Sequence, residues 1–225
     1  MIIKVCGMTR PDNIREVAEA GAEWIGMIFW RKSPRYVPMQ GIMAGIVPDR
    51  GSIRQDAFGS ARRVGVFVDE TPQSIITHAV QFRLDFIQLH GQEPPTLIRN
   101  LKETLHDLCP GIRFIKALSI KSGDDLAKWE EYRHCADYLL LDTKCPCVGG
   151  SGNKFDWQLL EQYRGDIPFL LSGGIGEEDA EAVASLHHPM LYGIDINSRF
   201  ETAPGIKDAR RIQSFIQKLR QHEQD

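Results

Sequence analysis

The sequence predicts an α/β fold: a parallel sheet with crossover helices, closed into a single (β/α)8 barrel over residues 1–225. Three observations carry this reading. Short apolar runs alternate with amphipathic stretches along the whole chain, the pattern of repeated strand–helix units. Eight such units fit into 225 residues, which suits a closed barrel better than an open doubly wound sheet. No linker-like or low-complexity break separates one part of the chain from another, so one domain is expected.

Each unit has its own signals. "IIKVCG" is the first strand, and "RPDNIREVAEAGA" is its helix, with Pro11 in the first turn and Gly21 at the end. "WIGMIFW" is the second strand. The stretch from Pro38 to Ser60 is rich in glycine and proline, so the second helix is expected to be short, displaced or irregular. "RRVGVFVD" is followed by "TPQSIITHAVQF", a helix opening on Thr-Pro, and "DFIQLHG" by "EPPTLIRNLKETLHDL". "RFIKAL" precedes a helix expected over "SGDDLAKWEEYRHC". "DYLLLDT", "IPFLLSGGI" and "MLYGIDIN" complete the strands; "EEDAEAVASL" lies between the last two, and "IKDARRIQSFIQKLRQH" closes the chain.

The totals narrow the function classes. A formal net charge of -3 gives no electrostatic footprint for nucleic acid or an anionic membrane. No apolar run approaches the roughly 20 residues needed to span a bilayer. Lys4 interrupts any apolar leader core, so the opening residues are expected to form a buried strand. Five cysteines at irregular spacing read as reduced thiols in a cytoplasm. Monomer and homodimer both fit, because helix faces that pair subunits look like faces that pack on a barrel.

Alternation along the strands then sorts side chains by face. If Ile3 and Val5 pack outward on the helices, Lys4 and Cys6 point into the barrel. The same count turns Gln88 with His90, Leu140 with Asp142, and Asp195 with Asn197. Polar groups thus collect at the C-terminal ends of strands, the face on which barrel enzymes carry their chemistry. A lone cysteine is ordinarily a small buried hydrophobe. Cys6 ends a strand beside an inward lysine, which favours chemistry, and a nearby cation lowers a thiol's pKa. Lys4 is also expected among the substrate-binding residues, and it suits a buried ion pair within the barrel; these roles are compatible.

Several stretches together resemble the phosphoribosylanthranilate isomerase family, the TIM-barrel enzymes of that step in tryptophan biosynthesis. They are "KVCGMTRPDN", "GMIFWRKSPRYV", "VGVFVDE", "IQLHGQE", "LLLDT" with "GGSGNKFDW", "LLSGGI" and "GIDINSRFETAPGIKD", in the family's order and across nearly the whole chain. The resemblance implies a cofactor-free, metal-free Amadori rearrangement of N-(5′-phosphoribosyl)anthranilate, so the expected partner is a small phosphorylated substrate. It implies Cys6 as the general base and Asp142 as the general acid, whose pKa must be raised to donate near neutral pH. It implies Arg35 as the anchor of the anthranilate carboxylate, since a guanidinium offers two parallel hydrogen bonds. His90 is expected on the pocket wall, or as a histidine held within the rim.

Phosphate is expected at the loops after strands seven and eight. Ser172, Gly173 and Gly174 would let backbone N–H groups approach it, and Asn197 with Ser198 would open a short helix towards it. Asp195 reads as scaffold or pocket wall. The family's glycine after the Asn-Ser pair is here Arg199, which leaves the loop geometry open and offers a further phosphate contact. "GGSGNKFDW" lacks dinucleotide-loop spacing and reads as a flap hinged at Gly149, Gly150 and Gly152. Cys145 and Cys147 have no matching ligands for a metal and read as incidental. His78, His106, His134, His187 and His188 read as solvated, and Trp24, Trp30, Trp129 and Trp157 as packing residues.

Competing readings have specific defects. An aminoaldose isomerase of the histidine pathway is expected to carry a carboxylate where Cys6 stands. A metal-dependent pentose-phosphate epimerase needs inward His and Asp ligands that this chain does not offer. A phosphate-binding sensor without turnover has no need of both Cys6 and Asp142.

Overall fold

The computed structural model describes residues 1–39, 57–143 and 157–222. Eight parallel strands close a barrel in chain order: β1 Ile2–Val5, β2 Trp24–Ile28, β3 Arg62–Phe67, β4 Phe86–Leu89, β5 Arg113–Ser119, β6 Tyr138–Asp142, β7 Phe169–Ser172 and β8 Leu191–Ile196. Closure is made where β1 pairs with β8, from Ile2 opposite Gly193 to Val5 opposite Ile196. Among the described residues, no helix is long and apolar enough to cross a membrane.

The alternation read from sequence is realised in two separate apolar clusters. Ile3, Val5, Ile25, Met27, Leu139 and Leu141 face out and pack with helix residues such as Ile14, Ile75, Ile98 and Phe215. Cys6, Trp24, Val66, Phe86, Tyr138 and Leu140 face in. Burying both faces explains why the strands read as near-continuous apolar runs.

Helix starts follow the expected chemistry. α1 Pro11–Glu19, α2 Pro72–Gln81 and α3 Pro95–Leu105 all begin on proline, whose missing N–H would have no partner in a first turn. The Thr71 side chain caps α2 by accepting from the Ser74 N–H at 3.3 Å. Gly21 follows α1 at φ +106°, a region closed to most side chains.

Two predicted helices are shorter than their patterns. The stretch 122–135 divides into α4 Gly123–Leu126 and α5 Trp129–Tyr132. Tighter i→i+3 bonds join them, from Ala127 N–H to Asp124 and from Glu130 N–H to Ala127. Between β7 and β8, a 3₁₀ turn Glu177–Asp179 leads into α6 Ala180–Ala184. α7 Ala209–His222 packs on α6 and α1.

After β2 the chain runs along the rim, bridging Ile28 to Tyr36. The irregular second helix unit falls largely in 40–56, outside the described residues, as do the hinge glycines Gly149, Gly150 and Gly152 and the thiols Cys145 and Cys147.

Two expectations are corrected here. His78 is not solvated: α2 buries it against Phe29, Phe67 and Phe82, and burial holds its pKa below the ordinary histidine value. Trp30 is no packing residue, being 37% exposed on the wall of the mouth.

Candidate active site

The C-terminal mouth of the barrel holds a cavity of about 270 Å³. Every predicted site residue except Lys4 lines it: Cys6, Arg35, His90, Asp142, Ser172, Gly173, Gly174, Asn197 and Ser198. The cavity therefore draws on β1, the β2–β3 loop, β4, β6, β7 and β8. Among the described residues, no three His, Cys, Asp or Glu side chains gather as a metal site.

Cys6 follows directly on β1, its N–H donating to the Ile196 carbonyl at 2.9 Å. Room for the thiol comes from Gly26 on β2, where a Cβ would stand 3.0 Å from Sγ. Gly7 turns the chain at φ +79°, and a Cβ there would meet Arg35 Cδ at 2.6 Å and Asn197 Oδ1 at 2.9 Å. The tight approach of three loops around the thiol thus depends on two glycines.

Lys4 is fully buried beneath this floor, with Nζ donating to Asp195 Oδ1 at 2.8 Å. It takes no part in the cavity wall, which corrects its assignment to substrate binding. Burial disfavours its charge, but Asp195 and Cys6 more than offset that and raise its pKa. The expected lowering of the Cys6 pKa does not follow. Burial pushes the thiol up, Lys4 pulls it down, Asp195 pushes it up again and Lys207 pulls it down; the net direction is up. Desolvation outweighs a cation that already has its own carboxylate.

Asp142 ends β6, opposite Ser172 on β7. His90 Nε2 lies 3.4 Å from Asp142 Oδ2, and His90 Nδ1 lies 2.8 Å from Gln88 Nε2. The loop carrying His90 is anchored by a buried pair, Lys116 Nζ to Glu93 Oε2 at 2.7 Å, while Glu93 also accepts from the Gly91 N–H. Breaking such a pair by removing one partner costs about 3–5 kcal/mol.

Arg35 faces the cavity with its fork already engaged. Nε donates to Glu201 Oε1 at 2.7 Å and Nη2 to Oε2, while Nη1 is left out of this contact. Glu201 also accepts from Lys207 Nζ at 2.5 Å and from the Gly205 N–H at 3.0 Å. Burial works against the carboxylate, yet the hydrogen bonds from Arg35, Lys207 and Gly205 hold its pKa at about 2.

Neither Glu201 nor Lys207 was singled out from sequence. A signal was present in "ETAPGIKD": Pro204-Gly205 is a tight-turn pair, with Gly205 at φ +85°. It folds β9 Glu201–Ala203 back on β10 Ile206–Lys207 and sets the acid opposite the lysine.

On the far side, Gly173 and Gly174 turn at φ +117° and +69°, and Ser198 opens a 3₁₀ turn Ser198–Phe200 directly after Asn197. Arg199 reaches the cavity wall and pairs with Glu178. One side of the cavity therefore presents a guanidinium, the other glycine-rich backbone, with a thiol and a carboxyl group on the walls between.

The model of the family described as N-(5′-phosphoribosyl)anthranilate (PRA) isomerase matches residues 3–218. The chain belongs to this family. It is 43% identical over 219 residues to the N-(5′-phosphoribosyl)anthranilate isomerase of Parabacteroides distasonis, covering 97% of this chain and 93% of that one. The crystal structure of phosphoribosyl anthranilate isomerase from Thermotoga maritima superposes with a TM-score of 0.78 at 32% identity, covering 98% of this chain and 100% of that one. A crystal structure of phosphoribosyl anthranilate isomerase in complex with reduced 1-(o-carboxyphenylamino)-1-deoxyribulose 5-phosphate superposes at 0.75 with 29% identity, over the same shares.

Proposed function

We propose that the mouth of this barrel isomerises N-(5′-phosphoribosyl)anthranilate to 1-(o-carboxyphenylamino)-1-deoxyribulose 5-phosphate, a step of tryptophan biosynthesis. The observation that carries this reading is that Cys6 and Asp142, from β1 and β6, line one cavity of sugar size. Asp142 gives its proton to the ribose ring oxygen. The C1′–O bond breaks, the ring opens, and the anthranilate nitrogen takes up the positive charge as an iminium. The Cys6 thiolate removes the proton on C2′, yielding an enolamine. This tautomerises to the ketone as C1′ gains a proton and the C2′ hydroxyl loses one. No atom enters or leaves, so an acid and a base suffice.

Arg35 takes the anthranilate carboxylate with the hydrogen bonds that Glu201 leaves free. Gly173, Gly174 and Ser198 offer backbone N–H groups to the phosphate, with the Ser172 and Asn197 side chains beside them, and Arg199 adds a cation at the same rim. His90 orients Asp142 across the mouth. Lys4 acts from beneath, holding Asp195 in place. The protein works as a monomer or a homodimer in the cytoplasm.

The test generates phosphoribosylanthranilate in situ and follows its fluorescence with purified protein. Loss well above spontaneous breakdown is expected; a rate equal to that breakdown removes the assignment.

A further inference from the structure

We propose that Glu201 is the positioning residue for Arg35: its buried carboxylate grips one edge of the guanidinium from behind, so that only the other edge is offered to the anthranilate carboxylate. This rests on the reading of Arg35 as the carboxylate anchor.

A guanidinium has five N–H donors and two edges that match a carboxylate, one made by Nε with Nη2 and the other by Nη1 with Nη2. Glu201 takes the first edge whole, with Oε1 on Nε at 2.7 Å and Oε2 on Nη2. Both Nη1 hydrogens and one on Nη2 remain, and they form the second edge. Arg35 lines the cavity and Glu201 does not, so the acid stands behind the fork it holds. The Glu201 side chain is only 6% exposed, against 18% for that of Arg35.

A long side chain on a loop samples many rotamers unless something orders it. Here each part of Arg35 is fixed separately. Its N–H donates to Ser33 Oγ at 3.1 Å, and its Cδ lies against Gly7, where a Cβ would stand 2.6 Å away. Glu201 holds the head and is itself locked, accepting from Lys207 Nζ at 2.5 Å and from the Gly205 N–H at 3.0 Å. Its pKa of about 2 keeps it ionised at neutral pH. The hairpin beneath is tied to α1, where the Lys207 N–H donates to Asn13 Oδ1 at 2.7 Å and its carbonyl accepts from Asn13 Nδ2 at 2.8 Å.

Two effects of Glu201 on a second carboxylate have opposite signs. Its charge repels the newcomer, and its grip orders Arg35 in advance of binding. The repulsion is blunted, because Lys207 and Gly205 already donate to the same carboxylate. Ordering therefore sets the sign, and losing Glu201 weakens binding.

The experiment measures binding to the whole chain by calorimetry. The ligands are reduced 1-(o-carboxyphenylamino)-1-deoxyribulose 5-phosphate and the same compound made from aniline, which lacks the carboxylate. Glu201→Gln should bind the carboxylate compound about 3–10-fold more weakly, the range for ordering one long side chain, and the aniline compound as wild type does. KM for the substrate should rise by the same factor, with a smaller change in kcat. In an Arg35→Ala background the substitution should add nothing for either ligand, since the residue it positions is gone. Glu201→Asp keeps the charge beside Lys207 and withdraws the carboxylate from Arg35 by one methylene. The same selective loss is expected there, so a poorly folding Glu201→Gln does not end the test. Unchanged or tighter binding of the carboxylate compound by a folded variant overturns the proposal. Equal weakening of both compounds overturns it too, because that marks Glu201 as support for the site in general. If Arg35→Ala keeps the wild-type preference for the carboxylate compound, the anchor reading fails and the positioning role with it. If Arg35→Ala loses that preference while the Glu201 variants keep it, the anchor stands and only the positioning role fails.

Discussion

The floor and the mouth of this barrel are built at opposite ends of the same strands, and they are filled in opposite ways. At the floor, Trp24, Phe86 and Tyr138 stand on the first residues of β2, β4 and β6, joined by Tyr192 near the start of β8. Trp24 and Phe86 have ring centroids 4.0 Å apart, and Tyr138 meets Trp24 edge-on at 5.3 Å. At the mouth the corresponding positions carry Cys6, Asp142, Ser172 and Asp195, and a cavity remains. Large rings pack against one another at one end, beside a solvent-open hollow lined also by Glu23, Arg62 and Arg113; small polar groups leave room for a ligand at the other. The difference teaches that the barrel keeps most of its packing energy away from the groups that do chemistry.

Exchanging losses between the two ends is the sharpest way to break this comparison. Cys6→Ala and Asp142→Asn should each lower kcat by about 10²–10⁴-fold, the usual contribution of a positioned acid or base. Their urea midpoints should stay near wild type. Phe86→Ala should do the reverse, costing about 3–5 kcal/mol of stability for a deleted core ring while each folded molecule keeps its kcat. Fluorescence kinetics and urea unfolding on the three variants decide it. A catalytic variant as unstable as Phe86→Ala, or a floor variant that is folded yet slow, would show that the ends are not separable.

Most of the floor and much of the mouth were legible in the sequence, because both follow a period of two along strands. That period put Cys6, His90, Asp142 and Asn197 at one end with no reference to contacts. What it could not supply was the energetic balance around them. Lys4 was visible as the neighbour of Cys6, but its bond to Asp195 arises only when β1 meets β8, and the burial of Cys6 itself, which pushes the thiol's pKa up, outweighs the lowering by Lys4. Glu201 and Lys207 sit on a hairpin with no strand period, and Glu201 meets Arg35 across 166 residues of chain. His78 looked like a surface histidine because one polar residue in an amphipathic helix does not reveal that Phe29, Phe67 and Phe82 close over it.

A smaller effect sharpens the contrast within the mouth itself. Arg35→Ala should raise KM about 10–100-fold with less change in kcat, matching the loss of a charge-assisted hydrogen bond worth about 1.5–3 kcal/mol. An otherwise identical substrate analogue without the anthranilate carboxylate should bind variant and wild type alike. If the variant also loses affinity for that analogue, the carboxylate anchor lies elsewhere.

The smallest expected effect is one of stability against pH, and it separates the packed rings of the floor from the Glu201 carboxylate at the mouth. Glu201 has a reference pKa of 4.5 and is held at about 2 in the fold. A depressed carboxyl pKa favours the folded state wherever the unfolded chain would already be ionised, so this stabilisation is complete above about pH 4.5. It is lost progressively as pH falls from there towards 2, when the folded carboxylate takes a proton. Arg35 and Lys207 remain charged through that window and add no slope of their own. Urea midpoints taken at pH 7, 4 and 2.5 should therefore fall more steeply for wild type than for Glu201→Gln, whereas Phe86→Ala should follow the wild-type slope from a lower starting point. Parallel curves for wild type and Glu201→Gln would mean that the carboxylate between Arg35 and Lys207 contributes nothing through its charge.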